Sequence, residues 1–351
     1  MKLAKVLGVT TILGSLSLGL TACDPPMPPD VAAALAEQTY TCIEGKSSVS
    51  GPATMQDLLF GWADSLTYSC FDPEPTMTFK LQGESDSSQI EISDYPSSCS
   101  PIATVPLATE AAVLIYMQAE VGALNVSPKS LAGIMNGSIS NWNQLSDDNP
   151  GYEMPDFPLA VRKNADRLAL ESMTNYLEAQ DFSVSKNLFS PVDKPGLDEY
   201  FELAEGEVAI VPNSYAVALG FYPASIYLGE DAEGMPILAT PDVSGIVTGG
   251  TQWEITKDTK SVSVSLNKDK APTPPDGSDV APTPYQLIYP VNLNICQDEL
   301  LPRAVARFLL RLDSQGALGA SNYSPLPEIV RIEALLNVSR GLPTPSPTPT
   351  E

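Results

Sequence analysis

The run Ala111–Met117 (AAVLIYM) constrains the fold more than any other feature of the chain. A strand with one wet face alternates apolar and polar residues, so a strand without alternation is covered on both faces. Sheets of that kind lie between layers of helices, and a well-marked helix follows in Ser127–Leu145 (SPKSLAGIMNGSISNWNQL). Ser127 is a good N-cap, and Pro128 falls at the first helical position, where its missing N–H costs nothing. Leu131, Ile134 and Met135 share one face, and Gly137 can take the left-handed conformation that ends a helix.

Strand and helix segments recur along the chain. Thr39–Ile43, Thr76–Leu81, Ile90–Ile92, Pro158–Val161, Ile237–Thr251, Val262–Asn267 and Tyr285–Leu293 have strand character. Met55–Tyr68, Leu168–Glu178, Pro302–Leu312 and Glu328–Leu336 have helical spacing, and Gly206–Ala216 is patterned as strand, turn and helix. Lys46–Thr54 (KSSVSGPAT) is turn-rich, and Lys268–Pro284 is too dense in proline for a central strand. The class is mixed α/β, and 351 residues suffice for two cored domains.

The first 23 residues have the features of a targeting segment. Lys2 and Lys5 precede an apolar run, Val6–Leu20, that is short for a membrane span and ends in Leu20-Thr21-Ala22-Cys23. The Leu-x-Ala-Cys ending resembles the bacterial lipobox, which implies cleavage before Cys23 and a lipid on its thiol. Asp24–Asp30 (DPPMPPD) is an extended spacer, and Pro343–Glu351 is a low-complexity tail. The formal charge is −24, and loss of the leader with its two lysines would make it −26. Such acidity argues against nucleic acid, whose phosphates are held by Lys and Arg. The chain has no His, which removes Ser-His-Asp and Cys-His catalysis and His-ligated zinc. No motif sets two carboxylates together for acid–base work, so an enzyme, a cofactor and a metal are not expected.

Leu131–Trp142 resembles the Leu-x-x-Ile-Phe-x-Gly-x-Ile-x-Asn-Trp signature of the phosphate-binding receptors of ABC importers. Gly206–Ala216 is similar to a second motif of these proteins, with Val211-Pro212 where they have Gly-Tyr, and Asn322–Pro327 is similar to their closing Gly-Tyr-x-Pro-Leu-Pro. The resemblance covers residues 48–340. It implies a two-lobed type-2 periplasmic-binding-protein fold with two crossover strands, lobe one about 39–110 plus 285–342 and lobe two about 111–284. It also implies an exported monomer, lipid-anchored to the outer face of the bacterial cytoplasmic membrane, that binds phosphate or a related oxyanion and delivers it to permease subunits.

Site residues carry over position by position. Thr54 precedes Trp62 as a binding Thr does in the family, although Lys46–Thr54 is equally a Ser-rich turn capping a helix. Ser93-Asp94 matches the strand ending whose Asp accepts a hydrogen bond from a protonated phosphate oxygen. The segment before it, with Gly83 and Ser85, is too short for the family's intervening helix. Arg162 matches the arginine that pairs with phosphate. The family's Ser-Gly-Thr after it does not survive, and its positions hold Asp166, Arg167 and Leu168. A carboxylate there repels phosphate unless Arg167 or Lys163 pairs with it. The alternative is therefore a receptor whose ligand has changed or been lost and which serves signalling, adhesion or envelope assembly.

With Cys23 lipidated, four cysteines remain, which suits an exported protein and allows three pairings. In the implied fold Cys99 and Cys296 both lie near crossover strands, and Cys42 and Cys70 flank the first loop–helix unit. The expected pairs are Cys42–Cys70 and Cys99–Cys296.

Overall fold

The structure is a computed structural model that describes residues 42–71, 73–83, 87–193, 202–274 and 281–343. Cys23, Ser85 and the C-terminal tail from residue 344 lie outside the described residues. The strands are β1 (Gly45–Ser50), β2 (Met77–Leu81), β3 (Ile90–Ser93), β4 (Ala103–Tyr116), β5 (Asn125–Val126), β6 (Ala160–Val161), β7 (Asn164–Asp166), β8 (Ser190–Val192), β9 (Glu207–Pro212), β10 (Ser225–Glu230), β11 (Pro236–Ala239), β12 (Trp253–Lys257), β13 (Val262–Leu266) and β14 (Ile288–Ile295). The helices are α1 (Gln56–Ser69), α2 (Pro128–Met135), α3 (Arg167–Ala179), α4 (Asn213–Ala218), α5 (Val243–Gly250), α6 (Leu300–Leu309), α7 (Leu312–Gly316) and α8 (Glu328–Val338).

The apolar run from Ala111 to Tyr116 is the far end of β4, which is buried almost throughout its length, and Met117 lies just beyond it. Among the described residues, seven strands form one sheet in the order β2–β1–β3–β14–β4–β9–β6. β1 is parallel to β2 and β3, while β14 is antiparallel to β3 and β4. Beyond the register shift in the β14 pairing, Ala112–Tyr116 of β4 pairs antiparallel with Val208–Pro212 of β9. β4 thus carries the chain out of the first lobe into the second, and β14 brings it back. This is the two-lobed type-2 arrangement with two crossover strands. β5, β10 and β11 form a smaller sheet, and β7–β8 and β12–β13 are paired strands. Among the described residues no helix is long and apolar enough to cross a membrane.

α2 ends as its sequence requires. The Ser127 hydroxyl accepts from Ser130 N at 3.1 Å, Pro128 begins the helix, and Gly137 takes φ +73° just beyond it. Replacing Ser127 with Ala is expected to cost about 1 kcal/mol, read from the shift in a urea unfolding curve. Trp142 is fully buried, with its indole Nε1 donating to Gly206 O at 3.2 Å and its ring 6.0 Å from that of Tyr116. Leu131, Ile134, Met135 and Trp142 are all packed in the core, so the motif that carries the family resemblance is scaffold.

Several elements differ from the sequence pattern. Of the expected strand Thr39–Ile43, residues 39–41 lie outside the described residues and Cys42 and Ile43 are not strand; the first described strand is Gly45–Ser50, within the Ser-rich stretch. β1 lies between β2 and β3, and two of its three serines find partners in the chain entering β3: Ser50 Oγ lies 2.8 Å from Ser88 Oγ, and Gln89 N donates to Ser48 Oγ at 3.0 Å. Position in the sheet overrides composition. Ile237–Thr251 is not one strand. β11 ends at Ala239, and Asp242 then caps α5 by accepting from Gly245 N at 2.7 Å. The glycines of α5 serve close packing, since a Cβ on Gly249 would lie 2.0 Å from Tyr285 O. β4 begins at Ala103 rather than Ala111, Pro158–Val161 is a strand only at its end, and Pro302–Leu312 is divided between α6 and α7.

Both expected disulfides are present, Cys42–Cys70 and Cys99–Cys296, with Cα–Cα distances of 5.7 and 5.8 Å.

Candidate ligand cleft

A cavity of about 30 Å³ lies where β4 crosses between the lobes, and its walls come from both. The turn Ser50-Gly51-Pro52 brings β1 toward α1. Ser93, Asp94 and Tyr95 end β3, and Glu110 faces in from β4. Tyr323 completes the first-lobe wall. Asp166 at the start of α3 and Ser214-Tyr215 at the start of α4 come from the second lobe. Three strand–turn–helix junctions therefore converge, an arrangement that normally offers backbone N–H groups to an anion.

Here two of those junctions are filled by the protein's own carboxylates. Asp166 caps α3, with Oδ1 accepting from Ala169 N at 2.8 Å, and its Oδ2 accepts a short hydrogen bond from the Tyr95 hydroxyl. Burial pushes the Asp166 carboxyl up, against the lowering effect of these donors. Glu110 is 1 % exposed, and its Oε1 accepts from Ala111 N at 2.9 Å and from Ser214 N at 3.3 Å, at the start of α4. Burial raises its carboxyl to about 8, with a further push from the neighbouring Asp94. Thr54 Oγ1 lies 2.6 Å from Tyr323 Oη, and burial keeps the Tyr323 hydroxyl protonated far above its ordinary range. Ser93 Oγ accepts from Tyr95 N at 3.1 Å and shapes the turn after β3.

Of the residues singled out in the sequence, Thr54, Ser93 and Asp94 gather at this cavity, Thr54 through its bond to the lining Tyr323. The basic ones do not. Arg162 is turned to Glu207 at 2.9 Å and to Glu202 O at 2.6 Å. Lys163 is exposed. Arg167 forms an ion pair with Asp193 on the surface rather than with Asp166. Gly83 is exposed in the loop after β2. Among the described residues no Lys or Arg lines the cavity. Its unforeseen members include Glu91, Tyr95, Glu110, Ser214, Tyr215 and Tyr323. Glu110 had left one sign, a lone acid within an apolar run.

Among the described residues, one set of potential metal ligands lies close together, Glu91 with Cys99 and Cys296. Its two sulfurs are bonded to each other and offer no thiolate. Glu91 itself is held by Ser97 Oγ at 2.7 Å and Ser98 N at 2.9 Å.

No protein-family model matches the chain, and no curated protein matches it. Solved structures do. A DING protein is matched with a TM-score of 0.56 and 15% identity, over 82% of this chain and 93% of that one. A human phosphate-binding apolipoprotein is matched with a TM-score of 0.55 and 14% identity, over 82% and 93%. A high-affinity periplasmic phosphate-binding protein bound with phosphate, PfluDING, is matched with a TM-score of 0.54 and 13% identity, over 82% and 92%. At these identities the likeness is one of fold, and in fold the chain is a two-lobed, type-2 protein of the kind seen in periplasmic phosphate-binding proteins.

Proposed function

We propose that the protein is an extracytoplasmic solute-binding protein of the ABC-importer type that keeps the receptor scaffold but has changed the chemistry of its cleft. Cys23 would carry its lipid anchor, and permease subunits would be its membrane partners. The observation that carries this reading is Asp166 on the N-terminus of α3, in a cavity lined by carboxylates and hydroxyls. A helix N-terminus attracts one negative charge, and that charge is already built into the chain. A phosphate dianion placed beside Asp166 and Asp94 would meet repulsion, with no Lys or Arg among the described residues lining the space to offset it. A small neutral or protonated solute that accepts hydrogen bonds from Tyr and Ser hydroxyls is the better complement.

One observation favours phosphate itself. Ser93 and Asp94 line the cavity, and Thr54 lies behind its wall against Tyr323. Calorimetric titration separates the two. The chain, stripped of bound solute, is expected to bind inorganic phosphate more weakly than about 1 mM at pH 7. Micromolar affinity that is lost on replacing Thr54 with Ala would establish the phosphate reading instead.

A further inference from the structure

In a two-lobed receptor, a bound anion uses donors from both lobes and thereby holds them together. In this cleft a side chain makes that connection. Asp166 belongs to the second lobe, where its Oδ1 takes the Ala169 N–H of α3. Its Oδ2 takes the hydroxyl of Tyr95, which follows β3 in the first lobe, 71 residues earlier. Both residues are buried, at 1 % and 6 % exposure. Ser214, fully buried, lines the same cavity beside the Glu110 carboxyl and the Tyr323 hydroxyl.

We infer that Asp166 is a built-in surrogate ligand: through Tyr95 it holds the cleft closed in the absence of solute, and through its charge on α3 it determines that anions are excluded. The inference rests on the reading of the cleft as a solute site given above. It makes Asp166 a specificity determinant and Tyr95 the other half of a latch. Closure would then be the resting condition of the protein, and a solute would compete with an internal carboxylate.

Three variants of the full chain test this, by amide hydrogen exchange over residues 91–95 and 166–170 and by titration with inorganic phosphate at pH 7. Asp166→Ser keeps a cap for α3 but removes the charge and is too short to reach Tyr95. It is expected to exchange faster in both segments and to raise phosphate affinity at least about tenfold over the limit set by the parent. Tyr95→Phe is expected to exchange faster without gaining phosphate affinity, because the charge stays. Asp166→Asn can still cap α3 through its oxygen and donate to the Tyr95 oxygen, and is expected to exchange like the parent. Near-ultraviolet circular dichroism verifies that each variant is folded. Parent-like exchange in Tyr95→Phe would overturn the latch, and unchanged phosphate affinity in a folded Asp166→Ser would overturn the exclusion role. Tight phosphate binding by the parent would instead defeat the reading of the cleft, leaving the latch to be judged by exchange alone.

Discussion

Replacing Glu110 with Gln is expected to remove a fall in stability that the parent suffers as pH rises from 5 to 9, a difference on the order of 3–5 kcal/mol. The carboxyl lies inside β4 at 1 % exposure, and burial raises it from 4.5 to about 8. Between those two values the unfolded chain has released the proton and the folded chain still holds it. Raising the pH therefore draws the equilibrium toward the unfolded state, and the loss is complete above the folded value. Gln keeps a carbonyl oxygen for the amides of Ala111 and Ser214, which Oε1 now serves at 2.9 and 3.3 Å. It places an N–H where the neutral acid has an O–H. Any cost of imperfect fit is the same at every pH, so the slope is the diagnostic. Urea unfolding of parent and variant at pH 5, 7 and 9 measures it, and parallel pH profiles would show that Glu110 ionises freely in the folded protein.

Glu110 also shows how much of the cleft was legible beforehand. Local chemistry was readable wherever it decided the structure. Ser127, Pro128 and Gly137 bound α2 because capping acts over one turn, and the unalternating run from Ala111 announced a strand covered on both faces. The Ser-rich β1 and the Gly-rich α5 were not legible, because each is decided by what lies across from it. For β1 that is two flanking strands, and for α5 the backbone at Tyr285. The cleft falls under the same distinction. Aspartate in place of the Ser-Gly-Thr turn was visible, and so was the repulsion it implies. That its second oxygen meets Tyr95 depends on how the lobes come together, which no local pattern states. Arg162 matched by position after its strand, yet Glu207, 45 residues later, takes its charge away from the cavity. A motif places a residue along the chain, whereas its partner is set by tertiary packing.

The Cys99–Cys296 bridge is expected to contribute the larger of the two disulfide effects, with about 5 kcal/mol lost in the Cys99→Ala/Cys296→Ala variant. Its sequence separation is 197 residues, against 28 for Cys42–Cys70. In the chain-entropy account a longer closed loop removes more freedom from the unfolded chain, and the smaller loop corresponds to about 3.5 kcal/mol. The folded state gains little extra constraint from the longer bridge. Cys99 precedes β4 and Cys296 follows β14, and the two strands are already paired from Ala103 opposite Ile295 onward. The bridge thus acts on the unfolded ensemble, where it ties together the two strands that cross between the lobes. Alanine replacement is preferable to reduction, because reduction would leave two thiols beside the buried Glu91 carboxylate. Denaturant unfolding of both double variants gives the comparison, with the Cys99–Cys296 variant less stable by between about 1 and 2 kcal/mol. The opposite order would mean that the bridges act through native packing, with Cys42–Cys70 holding the end of α1 against the chain that enters β1.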